Sequence, residues 1–287
     1  MLVAKPAGPT SHDVVDIVRR ALGTRRVGHL GTLDPFAEGL LVVVVGRATR
    51  LAAFAAGWTK TYEGVIRLGV TTDTDDVTGE VMATASVESV TAARLASALQ
   101  GFRGEYLQRP PAYSAVKIEG ERAYRRARRG EAVEPAPRRV EIRELEVLAL
   151  TAADVRFRAT VSAGTYLRSL ARDVGAALAC GAHLRELRRT TVGPFGLADA
   201  VAPDSVTRAD LRDPAVLVAD LQRRDLTADE RNAVVHGRSI TAGTGARGPT
   251  LGPLTPGPVA LFAGAEVVAV ADVAGDLLKP RVVVAAE

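Results

Sequence analysis

The sequence predicts an α+β fold: a mixed sheet with flanking helices, followed by a small β-rich module at the C-terminal end. Three observations carry this prediction. Two segments, "TYEGVIRLGV" (61–70) and "DVRFRATVS" (154–162), alternate as half-buried strands do. Two others, "TSHDVVDIVRRAL" (10–22) and the run from Tyr166 to Leu178, repeat apolar residues at helical spacing. Strands and helices do not alternate strictly along the chain, which argues against a doubly wound parallel sheet.

Taken in order, the first helix opens with Thr10 or Ser11 as N-cap and carries Val14, Ile17, Val18, Ala21 and Leu22 on its apolar face. The loop "GHLGTLDPFAEG" (28–39) follows, and then "LLVVVVG" (40–46), an apolar run of the buried-strand kind. In 61–70, Tyr62, Gly64, Ile66, Leu68 and Val70 share one strand face. "TTDTDDVTGE" (71–80) is turn chemistry, and "TAARLASALQGF" (91–102) a short helix. Residues 109–139 mix Pro, Gly and charge, which predicts an excursion from the core with one short basic helix near 121–129. Val155, Phe157, Ala159 and Val161 line the next strand, and Leu167, Leu170, Ala171, Val174 and Leu178 the next helix. "SAGTYLRS" (162–169) therefore lies on a strand-to-helix junction.

From about residue 226 the pieces "SITA" (239–242), "PVALFAG" (258–264), "EVVAVADV" (266–273) and "RVVVAA" (281–286) surround a Gly/Pro-rich stretch, 243–258. They predict a small all-β module, so the expected domains are 1–225 and 226–287. No repeat of solenoid period is present.

Composition narrows the function classes. Of 287 residues, 47% are apolar, enough for a sizeable core and too many for a disordered chain. No apolar run approaches the ~20 residues that span a bilayer. The N-terminus lacks the charged-then-apolar layout of a secretory signal, and Cys180, the sole cysteine, can form no internal disulfide. A soluble cytoplasmic protein is expected.

The net charge of +4 is modest, and its placement says more. Between Gln100 and Arg143 lie eleven basic residues against six acidic ones, a local excess above that of the whole chain. With Tyr113 and Tyr124 nearby, this suits a polyanion carrying stackable bases. A solvated face in an arginine-rich protein is the alternative reading.

The four histidines (His12, His29, His183 and His236) are scattered; Cys180 and His183 alone are close, and two ligands do not close a zinc site. There is no P-loop, dinucleotide fingerprint or Gly-x-Ser-x-Gly elbow. "GHLGTLDP" is not followed by a helical pattern, so it offers phosphate no helix N-terminus. Neither metal nor cofactor is expected.

Asp34 remains. An aspartate before proline is commonly a turn former. Three features favour chemistry instead: its loop adjoins a core strand, Arg168 on a second glycine-bearing junction can act as counter-ion, and Tyr62 opens a strand that can border the same cleft. A carboxylate beside a guanidinium stays ionised where water is excluded, which makes a nucleophile or base rather than a general acid. A two-carboxylate hydrolase is disfavoured because no second acid is placed opposite Asp34.

Five motifs occur in order: "KPAGPTSHDVV" (5–15), "VGHLGTLDPFAEGLL" (27–41), "KTYEGVIRLGVTTDTDD" (60–76), "PPAYSAVKIEGERAY" (110–124) and "SAGTYLRSLARDVG" (162–175). Together they resemble the TruB family of bacterial tRNA pseudouridine synthases, over most of residues 1–195. "GTLDP" and "GTYLRSL" are the most specific. The resemblance implies a pseudouridine-synthase-type sheet, a thumb-like insertion at about 109–139 and a PUA-like RNA-binding tail.

It further implies that Asp34 is the catalytic aspartate, that Tyr62 stacks on the target uracil and takes part in proton removal at C5, and that Arg168 pairs with Asp34. Tyr166 and Leu187 become pocket walls, and His29 helps hold the target loop open. Lys5, Lys117 and Asp76 fall within motifs on the substrate side, and Arg125, Arg126 and Arg128 grip RNA through its phosphates. The implied substrate is uridine 55 in the T-arm of tRNA, handled by a monomer without cofactor or obligatory protein partner. The aspartate has three routes: addition at C6, addition at C1′, or proton abstraction.

Leu30 stands where the family commonly has threonine, and Glu38 where it has threonine or a small polar residue. "LLVVVVG" lacks a proline often found there, and only four residues precede Lys5. Two other readings stay open: an RNA-folding module whose catalysis is dispensable, and a guide-RNA-dependent synthase, which the thumb-like segment disfavours.

Overall fold

The computed structural model describes residues 1–118, 120–242 and 257–285. The chain opens with β1 (Leu2–Lys5), α1 (Ser11–Leu22), β2 (Val27–His29), β3 (Glu38–Val45) and α2 (Ala52–Ala55). Next come β4 (Lys60–Leu68), the hairpin of β5 (Val70–Thr72) and β6 (Val81–Thr84), α3 (Ala92–Gln100) and β7 (Gly104–Gln108). The excursion holds β8 (Lys117–Ile118), β9 (Glu121–Arg122) and α4 (Ala123–Arg128). The body resumes with β10 (Arg138–Leu150), β11 (Asp154–Val161), α5 (Leu167–Ala177), β12 (Ala182–Val192) and β13 (Phe195–Gly196). The tail contributes β14 (Gln222–Asp225), α6 (Ala228–Val235), β15 (Ile240–Thr241), β16 (Pro258–Ala263), β17 (Glu266–Ala274) and β18 (Leu277–Val283).

Among the described residues the larger sheet runs β1-β3-β12-β4-β11-β10-β7, with β2 beside β3 and β13 beside β12. Its strands pair antiparallel except β3 with β12, so the sheet is mixed, as expected. The sequence sets this up locally. Thr10 and Asp13 form a reciprocal capping box at the start of α1, and Gly23, at φ 63°, closes the helix in the left-handed region. A cap of this kind is worth about 1 kcal/mol. The apolar run of β3 is buried on both faces, so alternate residues enter different cores. Leu41 and Val43 meet Val14, Val15 and Val18 of α1; Leu40, Val42 and Val44 face the opposite way.

On β4, Tyr62, Ile66 and Leu68 point into the core built with Leu95 and Leu99 of α3 and Leu167, Leu170 and Val174 of α5. The expected alternation fails at Val70. Gly69, at φ 78°, turns the chain out of β4, so Val70 belongs to the β5–β6 hairpin.

The excursion leaves between β7 and β10, which pair from Gln108 with Arg138 to Gly104 with Ile142. Arg138 and Arg139 thus belong to β10 rather than to the excursion. The basic helix α4 is shorter than the predicted 121–129; it buries Ala123 and Ala127.

The second sheet has the order β14-β16-β17-β18-β15. One face packs on Val234 of α6. From its other side, Ala260, Phe262, Val267 and Val270 join Leu40, Val42, Val44, Leu51, Leu217 and Val218 of the body in one apolar cluster. The tail therefore shares a core with β3. The Gly/Pro-rich stretch lies outside the described residues up to 256. Among the described residues no helix is long and apolar enough to cross a membrane.

Candidate active site

Asp34 sits on the loop between β2 and β3, and three elements hold that loop. From α1, the Ser11 hydroxyl donates to the Leu33 carbonyl (3.1 Å) and accepts from the Leu33 amide (2.9 Å). From β1, the Lys5 ammonium donates to the carbonyls of Pro6, Pro35 and Ala37 at 2.9, 3.2 and 2.6 Å. From β12, Arg189 donates to the carbonyls of Gly31 (3.0 Å), Thr32 (3.4 Å) and Leu40 (2.8 Å). Gly31, at φ 90°, is required where the loop leaves β2: a side chain there would press on the Lys60 stem.

Across the cleft, α5 starts at the glycine-bearing junction. Gln108 of β7 fixes that start: its side chain accepts from the Tyr166 amide (2.8 Å) and donates to the Tyr166 carbonyl (3.0 Å). One residue into the helix, Arg168 grips Asp34 with both arms of its fork, Nε to Oδ2 at 2.9 Å and Nη2 to Oδ1 at 3.1 Å. It also donates to the carbonyls of Thr74 (3.0 Å) and Tyr113 (2.9 Å). Asp76 Oδ2 lies 3.6 Å from Arg168 Nε, while its Oδ1 accepts from Thr74 and Thr78. The side chain of Arg168 is 4% exposed and that of Asp34 32%, so the cation is sealed and the anion faces outward. This arrangement holds an oriented, partly exposed carboxylate.

Tyr62 is buried on β4, level with Arg189 on β12. Arg189 Nη1 lies 3.5 Å from its hydroxyl, and the guanidinium carbon 6.0 Å from its ring centre. Leu187 is buried in the same cluster as Tyr62 and Leu33. Tyr166 is half-buried with the Arg138 guanidinium 5.2 Å from its ring centre. His29 ends β2. Burial pushes its imidazole below the ordinary 6.5, with Arg189 and His12 adding to the shift, so the ring is neutral at pH 7. Burial likewise pushes the Lys5 ammonium down to about 8, against the pull of Asp34.

The predicted substrate-side residues thus fall into two groups. Lys5 and Asp76 are buried beside the Asp34 loop and its arginine, with their polar atoms engaged by protein groups. Lys117, Arg125 and Arg128 are exposed on the excursion, and Arg128 stacks 5.6 Å from the centre of the Tyr124 ring. Arg126 is half-buried and ion-paired with Glu131 at 2.7 Å. Leu30 is buried, and Glu38 faces Arg188 at 3.4 Å. A cleft of about 540 Å³ touching Phe36, Glu38 and Leu187 opens beside the loop. Another, of about 530 Å³, lies between β3 and the tail sheet and contains none of the predicted residues.

Sequence reasoning passed over Arg189, Lys60 and Gln108. A signal for Arg189 was present: it follows Leu187 by two residues, the strand spacing that places both on one face. Cys180 is buried, and His183 Nδ1 lies 2.9 Å from the Val70 carbonyl. Among the described residues no group of three or more His, Cys, Asp or Glu is placed to hold a metal.

The chain resembles known proteins along most of its length. Residues 19–167 match the N-terminal domain of the TruB family pseudouridylate synthases, and residues 168–226 the tRNA pseudouridylate synthase B C-terminal domain. The chain is 47% identical over 248 residues to tRNA pseudouridine synthase B of Mycobacterium sp. (strain KMS), covering 84% of this chain and 83% of that one. It is 44% identical over 296 residues to the protein of the same name from Thermobifida fusca (strain YX), covering 99% and 98%. Among solved structures, a Cbf5-Nop10-Gar1 complex aligns over 99% of this chain and 84% of its own, with TM-score 0.73 and 27% identity. The archaeal box H/ACA sRNP Nop10-Cbf5 complex aligns with TM-score 0.73 and 25% identity, covering 99% of this chain and 86% of its own. The Asp34 loop and both members of its ion pair lie within the residues matched by the two family models, and the chain belongs to the TruB family of pseudouridylate synthases.

Proposed function

We propose that the protein converts uridine to pseudouridine at position 55 in the T-loop of tRNA, with Asp34 acting on a nucleotide turned out of the loop. The observation that carries this reading is the two-armed Arg168–Asp34 pair, whose cation is sealed while its anion stays partly exposed. Relatives named tRNA pseudouridine synthase B support tRNA as the substrate.

The reaction breaks the N1–C1′ bond, joins C5 to C1′ and moves the C5 proton, with no net redox change. The target lies inside a folded loop, so extrusion comes first, at a cost of a few kcal/mol. Stacking on Tyr62 returns about 1–3 kcal/mol of it. Tyr166 and Leu187 bound the space the base turns in, and His29 keeps the vacated loop open. Lys5 and Asp76 act through the loop and Arg168, whereas Lys117, Arg125, Arg126 and Arg128 meet phosphates, which positions the RNA without specifying it. The tail sheet adds RNA-binding surface as a PUA-like module.

The test is an unmodified tRNA transcript incubated with the purified protein alone, followed by mapping of pseudouridine. Pseudouridine at position 55 is the expected result. Its absence on naked tRNA, with activity only in the presence of a guide RNA, would favour a guide-RNA-dependent synthase. Binding without any pseudouridine would leave an RNA-folding module.

A further inference from the structure

Arg189 is the largest fully buried side chain of the molecule's described residues, and its hydrogen-bond partners are all uncharged oxygens. A buried guanidinium without a carboxylate is costly, and a well-packed apolar residue of similar volume would serve stability as well or better. What this cation touches is therefore informative. Its Nη groups reach the Gly31 and Thr32 carbonyls, three and two residues before Asp34, and its Nε reaches Leu40, just after the loop closes. Its backbone pairs with Gly39 in the parallel β3–β12 contact. Gly39, at φ 112°, admits no side chain, because a Cβ there would lie 2.3 Å from the Arg189 carbonyl oxygen. One residue thus pins both ends of the Asp34 loop. The same guanidinium donates to the Tyr62 hydroxyl, and its strand position lies directly opposite Tyr62.

We infer that Arg189 is a positioning residue for the reaction: one rigid fork sets the Asp34 loop and the Tyr62 phenol in register with each other. It touches no substrate. It acts by fixing the carboxylate against the face on which the base rests, a geometry in which a misplacement of about 1 Å costs on the order of 10²-fold in rate. Lys60 packs beside Arg189 against Gly31, but its ammonium donates to the Trp58 carbonyl (2.8 Å) rather than to the loop or Tyr62, so it does not replace the fork. A lysine at 189 would keep the charge and lose the planar arrangement.

The inference rests on pseudouridine formation as the reaction, and the experiment separates the two. Full-length wild type, Arg189→Met and Arg189→Lys are compared for single-turnover rate, KM for tRNA, melting temperature and amide exchange at Leu33 and Ala37. Both variants are expected to lose about 10²-fold in rate with KM within about threefold. Both should also exchange faster at the loop amides. In a Tyr62→Phe background the loss on Arg189→Lys should shrink, because one of the fork's partners is already gone. A folded Arg189→Lys with the wild-type rate and unchanged loop exchange would overturn the inference. So would a loss that appears wholly in KM. If Arg189→Met fails to fold, Arg189→Lys carries the test. If wild type itself forms no pseudouridine, the proposed function fails, and loop exchange still decides whether Arg189 clamps the loop.

Discussion

The loop over 28–39 and the excursion between Arg109 and Pro137 both rely on arginine and use it in opposite ways. Beside the loop, Arg168 and Arg189 are buried, and their donors meet fixed carbonyls, the Tyr62 hydroxyl and the Asp34 carboxylate. On the excursion, Arg129 bridges Glu121 and Glu131, and Arg109 meets Glu134, through ion pairs exposed to water. Exposed pairs of this kind are worth about 0–1 kcal/mol each, so these arginines can exchange a glutamate for a phosphate at little cost. A buried guanidinium fixes a geometry, and an exposed one attracts a polyanion. The two regions meet at the excursion's root, where the Arg109 carbonyl accepts from Ser169 (2.8 Å) and Arg172 (2.7 Å) of α5. The Tyr113 carbonyl accepts from Arg168 itself.

The sharpest way to break this comparison is Arg168→Ala. Removing the buried partner of an ion pair costs up to about 3–5 kcal/mol. Read as lost transition-state stabilisation, that is a fall of about 10²–10⁴-fold in single-turnover rate. Affinity for tRNA, measured by filter binding, should stay within about threefold. A collapse of affinity with an intact rate would make Arg168 an RNA-binding residue and not a support of Asp34.

A smaller effect is expected from Arg125→Glu with Arg128→Glu. The Kd for tRNA should rise about tenfold at low salt, and the slope of log K against log salt should flatten by roughly 0.7–0.9 per lost phosphate contact. The rate at saturating tRNA should not move. An unchanged salt slope would place the RNA on another surface.

The smallest effect is on stability. Burial, with Arg189 nearby, pushes the Lys60 ammonium down to about 8 from the ordinary 10.5. Between those values the unfolded chain holds the proton and the folded chain does not, so stability rises with pH across the window. The melting temperature of wild type minus that of Lys60→Met should climb by a few degrees between pH 8 and 10.5. A flat difference would mean that Lys60 is not buried as a cation in the folded protein.

How much of this was legible in the sequence follows from which forces act locally. The first helix was readable because its cap, Thr10 with Asp13, and its apolar face lie within thirteen consecutive residues. The strand after the loop was readable because burial on both faces leaves an unbroken apolar run. The central strand β12 was not recognised: Arg185, Glu186, Arg188 and Arg189 interrupt its apolar pattern, and a bulge between Leu184 and Glu186 shifts its period. The Asp34–Arg168 pair joins residues 134 positions apart, so its geometry was open to inference only through the motifs that carry each partner. Arg189 was hidden for a related reason. Its partners are main-chain carbonyls, which every residue possesses, and only the tertiary fold decides which of them converge.

The most direct test of the central claim is release of tritium from C5-tritiated tRNA by wild type and by Asp34→Asn, with tRNA affinity measured on both. Wild type should release the label from one uridine per tRNA. Asp34→Asn should release it about 10⁴-fold more slowly while binding tRNA within about threefold of wild type. Release by Asp34→Asn at the wild-type rate would contradict the account.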